Sequence, residues 1–149
     1  MCVTDHVAVD TEGWDALVVE GMRKSIRDRK VAIVEFEVNN RGMWNRLIAK
    51  RDARTVNGTF NLFHSAGYAC FWVLARSLIP ASGACWIDAY RAKPEWSNVV
   101  CAHEPPVVDA LGTIVREGLA QRRAAAAAGR RVEPPRLGLT RRWSGSPVL

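Results

Sequence analysis

Short apolar runs and longer segments of helical period alternate along the first 120 residues. Val7-Ala8-Val9 reads as a buried strand, ended by Asp10 and then Gly13. Apolar residues next fall at Trp14, Leu17, Val18 and Met22, the spacing of a helix, with Gly21 as its break and a basic face running on to Lys30. "VAIVEFEV", residues 31–38, is rich in β-branched residues and predicts a second strand. A parallel pair needs a crossover of about a dozen residues or more, so strand, helix, strand here reads as a right-handed βαβ unit. Strands covered on both faces also explain why these runs are nearly continuous rather than alternating.

After "NNRG", the stretch Met43 to Ala53 is amphipathic, and Thr59 to Ala66 predicts a further helix stopped by Gly67. "YACFWVL", residues 68–74, has strand composition. "SLIPASGACW", residues 77–86, carries Pro80 and Gly83 and predicts a turn or irregular loop. "WSNVVCA", residues 96–102, reads as another strand halted by Glu104-Pro105-Pro106, and a last helix is expected from Val107 to about Arg123. The expected order is β-α-β-α-α-β-β-α. Residues 1–122 form one domain in this reading, followed by a low-complexity Ala/Arg/Pro tail over 123–149 that is expected to be disordered from 130 onward.

Charge changes the picture only at that tail. The chain carries a formal net charge of +6, and all of it comes from residues 121–149, where seven arginines face Glu133 alone. The body is balanced, so the basic pI describes an appendage and not a surface of the fold. The tail could touch nucleic acid or acidic lipid; a solvated extension is the simpler reading, because only Trp143 offers a ring for stacking. No run approaches the roughly 20 apolar residues of a membrane span, and the N-terminus lacks a signal peptide's basic start and apolar run, which predicts a cytoplasmic protein by default. Cys2, Cys70, Cys85 and Cys101 show no short even spacing and are expected to be buried free thiols. Cys101-Ala-His103 would be half a zinc site at most, and no second half is present, so no metal is expected.

"VAVDTEGWDALVVEGM", residues 7–22, resembles the Asp-x-Glu-Gly-aromatic block of the FkbM family of S-adenosylmethionine-dependent methyltransferases. "VAIVEFEVNNRGMW" is similar to that family's next strand, which ends in Phe-Glu, and "GYACFWV", "LIPASGACW" and "WSNVVCA" resemble the C-terminal part of some members. The resemblance implies an α/β fold, a partial Rossmann-like methyltransferase sheet of strands four to seven, with the final strand antiparallel between its neighbours. It implies O-methyl transfer from S-adenosylmethionine to a hydroxyl of a small molecule or sugar. The Gly-rich turn and the ribose-binding acid of such enzymes belong to strands that would precede residue 1, and no GxGxxG occurs here. Cofactor binding by this chain alone is therefore in doubt. The fourth strand is expected to have an open edge, filled by a complementing N-terminal half or by self-association.

In open parallel sheets ligands bind beyond the carboxyl ends of the strands, where Asp10, Glu12, Glu37 and Asn39 fall in this reading. Methyl transfer to a hydroxyl benefits from a base and a held acceptor. The expected catalytic residues are Asp10, Glu12 and Glu37, with Asp10 and Gly13 toward the cofactor. The residues alone admit a second reading, in which Asp10 or Thr11 caps the helix that follows and the acids favour its dipole. Asp15 is taken as structural, and Trp14 as core or as the wall of an acceptor pocket. His64 and His103 are further candidate bases, though surface or hydrogen-bonded roles are simpler for both. The alternative function is a non-catalytic interaction or scaffold protein.

Overall fold

The computed structural model describes residues 4–39, 42–49, 55–87 and 97–130. The chain forms a mixed α/β domain: β1 (Thr4–Val9), α1 (Asp15–Gly21), α2 (Arg23–Arg27), β2 (Val31–Val38), α3 (Met43–Ala49), α4 (Val56–Ser65), β3 (Ala69–Leu74), β4 (Ser77–Pro80), β5 (Ser97–Ala102) and α5 (Pro105–Ala127). The five strands form one sheet in the order β1-β2-β5-β3-β4. β1 and β2 are parallel, with Val9 beside Phe36. β5 runs antiparallel between β2 and β3, pairing Phe36 with Val99 and Trp72 with Val99.

The strand period of two sends alternate residues to two different layers. Val34, Phe36, Val38, Trp72 and Val99 face the larger core, closed by Ala16, Val19, Ile26, Trp44, Phe60 and Phe63 from α1–α4. Phe36 is stacked on Phe63 at a centroid distance of 5.7 Å, and Phe60 lies against Trp72 at 5.2 Å. The opposite face is covered only in part: Phe71, Val100 and Leu78 pack on Val115 of α5. At Gly118 that helix passes so near β4 that an added Cβ would lie 2.2 Å from the Ser77 hydroxyl. His6, Ala8 and Glu35 on the same face of β1 and β2 remain exposed.

Local chemistry sets the boundaries, and several differ from expectation. α4 begins at Val56 rather than Thr59 because Thr55 Oγ1 accepts from Gly58 N (3.3 Å), an N-cap upstream of the expected start. Residues 77–80, expected to be irregular, form a strand: Ala75-Arg76 turn the chain back, and β4 lies at the sheet edge, where Pro80 is tolerated. The buried face of the first helical segments is Ala16, Val19 and Ile26, with Met22 packed against it; of the expected stripe Trp14, Leu17, Val18 and Met22, Trp14 and Val18 are exposed and Leu17 is half-buried. Trp14 is 53% exposed and so is not part of the core. The break falls at Met22, next to Gly21. α5 continues through the polyalanine to Ala127, across the expected boundary at 122/123. The expected disorder falls almost entirely on residues outside the described ones, as does the expected helix over 50–53.

The expectation of buried free thiols is corrected: Cys70 and Cys101 are joined in a disulfide and Cys85 is free but exposed, while Cys2 lies outside the described residues. The two half-cystines are register partners on β3 and β5 with Cα atoms 4.1 Å apart. Cys70 turns its own backbone toward the other neighbour, accepting from Ala81 N (2.9 Å) and donating to Ser82 Oγ (3.0 Å). Its pairing with Cys101 is thus of the non-hydrogen-bonded kind, where antiparallel Cα atoms approach most closely.

The disulfide closes a loop of sequence separation 31, for which chain entropy gives about 3–4 kcal/mol. Reduction, or Cys70→Ala with Cys101→Ala, is expected to lower the unfolding free energy by up to that amount in denaturant titrations; an unchanged midpoint overturns the assignment. A second expectation concerns Tyr68, buried in the larger core with its hydroxyl donating to Val31 O. Burial pushes its phenol above the ordinary value, against the opposing pull of Arg29 and the bond to Val31. A raised acid pKa means its stabilisation is complete below about pH 10, the ordinary tyrosine value, and is lost as pH climbs through the folded value. Ultraviolet titration should show a tyrosine ionising late, together with unfolding; in Tyr68→Phe that late step should disappear.

Candidate functional site

The parallel strands β1 and β2 end side by side. Val9 pairs with Phe36, so Asp10 and Glu37 are the next residues of neighbouring strands, which in a sheet lie about 4.8 Å apart. Their environments then diverge. Asp10 and Glu12 are exposed, whereas Glu37 is 8% and Asp15 0% exposed.

Asp15 organises the turn between β1 and α1. One carboxylate oxygen accepts from Thr11 Oγ1 (3.1 Å) and Gly13 N (3.3 Å), and the other from Glu37 N (3.3 Å). The helix is not capped by a side chain: Trp14 holds the N-cap position, and Thr11 donates its hydroxyl to Asp15 instead of accepting from an amide. Capping by Asp10 or Thr11 is thereby replaced by a carboxylate one residue inside the helix. It still accepts from Gly13 N at the entry, the end where the dipole favours negative charge.

Glu37 is spent locally. Its Oε1 accepts from Asn39 Nδ2 (2.8 Å), and its carbonyl accepts from the Trp44 indole (3.0 Å), which ties α3 to the end of β2. Gly13 is spent as well: its N–H goes to Asp15 and its carbonyl accepts from Met43 N (2.8 Å). Gly13 has φ 99 and Gly42 has φ 68; a Cβ on Gly42 would sit 2.6 Å from Gly13 O. Glycine is favoured at both positions where these loops cross, at Gly42 because only a hydrogen fits against the Gly13 backbone and at Gly13 because of its positive φ.

Asp10 and Glu12 remain as the acids open to a ligand, and neither makes an ion pair among the described residues. Glu12 is held at φ 51, a left-handed conformation that costs a side-chain-bearing residue on the order of 1 kcal/mol. Nothing in the residue order signals that strain, since the adjacent glycine accounts for the turn. The candidate histidines do not join this cluster. His103 N lies at Ala32 O (3.4 Å), at the far end of β2, with its ring edge-on to Tyr68 at 4.7 Å. His64 is on the last turn of α4, beside Gly83. Among the described residues no three His, Cys, Asp or Glu side chains gather as a metal site would require, and no helix is long and apolar enough to cross a membrane.

The chain matches no family profile, no curated protein and no solved structure.

The division between buried and exposed acids sets a test. Asp15→Ala leaves the Gly13 and Glu37 amides without their acceptor and should cost about 2–4 kcal/mol. Glu12→Gly removes the left-handed penalty and should leave stability equal or raise it by up to about 1 kcal/mol. Equal stability losses in the two variants, measured by thermal or denaturant unfolding, overturn this assignment of scaffold and open acid.

Proposed function

We propose that this chain is the acceptor-side portion of an S-adenosylmethionine-dependent O-methyltransferase acting on a hydroxyl of a small molecule or sugar. The observation that carries the reading is the sheet itself. A final strand runs antiparallel between two strands of common direction, and the acid-rich turn stands beyond the carboxyl ends of the parallel pair, as the resemblance of residues 7–22 implies. The partial Rossmann-like assignment belongs to this proposal.

The residues fit the donor on grounds of charge. Asp10 and Glu12 are open carboxylates, suited to a sulfonium cation and to a hydroxyl that must be oriented and relieved of its proton. The bound cofactor would supply an electrophilic methyl group. Asp10 would face it, and Glu12, held forward by its left-handed backbone, would accept the acceptor's proton. Glu37, expected to be catalytic, sits behind them with Asn39 and acts by fixing the end of β2. Gly13 acts by shaping the turn, since both of its backbone groups are engaged. No described glycine-rich turn offers a phosphate or methionine cradle, so the reading requires further strands added at β1.

A non-catalytic interaction protein is the second reading, and the β1 edge favours it: among the described residues β1 pairs with β2 alone. Calorimetric titration with S-adenosylmethionine separates the two, applied to the 149-residue chain and to that chain with whatever its gene places upstream. The enzyme reading expects micromolar binding in at least the longer form, weakened about tenfold or more by Asp10→Asn with the fold intact. Absence of binding in both folded forms removes the enzyme reading and leaves the second.

A further inference from the structure

We propose that the β1 edge and the exposed stripe of α1 form a self-complementary interface with a second copy of this chain, the two sheets joining through antiparallel β1 strands about a twofold axis. The inference stands apart from the methyl-transfer reading, because a copy seated on β1 occupies the edge on which that reading needs further strands.

Among the described residues nothing pairs with the outer side of this edge. Thr4–Val9 contains no proline, no lysine or arginine and no bulge, the devices that usually blunt an edge strand. Thr4, Asp5, His6 and Ala8 are exposed along it. A register centred on Val7 sets Thr4 opposite the copy's Asp10, Asp5 opposite Val9 and His6 opposite Ala8, so no two like charges face each other.

The ends of the edge differ in charge: the carboxyl end is acidic, and the amino end is net basic, with Arg27, Arg29 and Lys30 against Asp5 and Asp28. At the carboxyl end stand Asp10 and Glu12, both exposed and without ion pairs among the described residues. At the amino end Thr4 N donates to Lys30 O (2.8 Å), which anchors the basic run Arg27–Lys30 beside the start of β1. Lys24 and Lys30 share Asp28, while Arg27 has no ion pair among the described residues. Antiparallel pairing brings each acidic end to the copy's basic end, twice over, as a twofold interface demands.

The helix layer fits the same axis. α1 packs over both β1 and β2. With strands spaced about 4.8 Å, a helix straddling the outer pair on each copy lies roughly 10 Å from its mate, within helix-packing distance. Trp14, Val18 and Gly21 form one stripe on α1: Trp14 is 53% and Val18 36% exposed, and nothing lies within 4 Å of the position where a Gly21 side chain would begin. Val18 is midway along the stripe as Val7 is midway along β1. A twofold axis through Val7 would set the two α1 stripes side by side, and the proposed contact places Val18 near Val18 and each Trp14 toward the open space at the copy's Gly21.

Sedimentation equilibrium on the 149-residue chain is expected to give twice the chain mass of 16.5 kDa. Val18→Glu sets two carboxylates across the axis and should raise the dimer dissociation constant at least about tenfold, with circular dichroism unchanged. Asp10→Lys and Lys30→Glu should each weaken the dimer, and together they should restore it. Amide exchange in β1 should slow as protein concentration rises. A folded chain that stays monomeric to about 100 µM overturns the proposal, leaving the edge to a different partner. A dimer indifferent to Val18→Glu and to both charge reversals overturns it equally, by placing the contact elsewhere.

Discussion

The buried carboxylate of Asp15 is the constraint on which the rest of the candidate site depends. It accepts from the Gly13 amide in the loop leaving β1 and from the Glu37 amide at the end of β2, so one side chain fixes the relative height of two strands and the start of a helix. An acid with no water around it holds such a place only when its acceptor capacity is used, and three donors use it here. Once that knot is tied, Gly13 must pass within backbone contact of Gly42, Met43 N must find Gly13 O, and Glu12 is thrown into a left-handed turn facing water. The openness of Glu12 follows from the closure of Asp15.

The far end of the sheet is held by different means. Cys70–Cys101 joins β3 to β5 within the larger core, Tyr68 reaches Val31 O, and Arg29 Nε donates to Ala66 O (2.8 Å) from its own left-handed position. Rigid covalent and buried polar links thus gather among β2, β3 and β5, while among the described residues β1 is joined to the sheet by one ladder. Local stability is expected to fall toward β1, since it buries fewer of its residues than its parallel neighbour β2. An edge of that kind gains from any partner that completes its hydrogen bonds.

Strand composition was legible where the apolar run is long, although the cover expected on both faces of β1 and β2 is not found, since His6, Ala8 and Glu35 are exposed. β2 occupies residues 31–38 as its β-branched run predicts, and β1, β3 and β5 fall within a few residues of expectation. What failed did so for identifiable reasons. A seven-residue α1 that buries an alanine, a valine and an aspartate leaves a tryptophan outside, so hydrophobicity pointed to the wrong face. Pro80 disguised β4 because an edge strand tolerates what an inner one does not. The disulfide joins residues that only the sheet register brings together, and spacing along the chain does not encode it. At the site, the acids at the strand ends were visible as residues, but which of them are spent was not. Asp15 is set apart from Asp10 and Glu12 by a bond to the Glu37 amide 22 residues away, and Glu37 by burial and a bond to Asn39 two residues on, neither of which residue type or spacing specifies.

The two roles argued for the β1 edge draw on the same hydrogen bonds, so they compete. Strands carried on the same polypeptide would meet β1 at an effective concentration of roughly millimolar, well above that of a second copy in most settings. If the two contacts have similar intrinsic strength, a tethered segment displaces the copy. If the tethered segment is missing or fails to fold, the copy takes its place. Self-pairing then closes an edge that would otherwise invite indiscriminate strand addition. In that form Asp10, proposed to face the cofactor, would face a lysine instead, and the acidic turn that would serve methyl transfer would become part of the seam between two sheets.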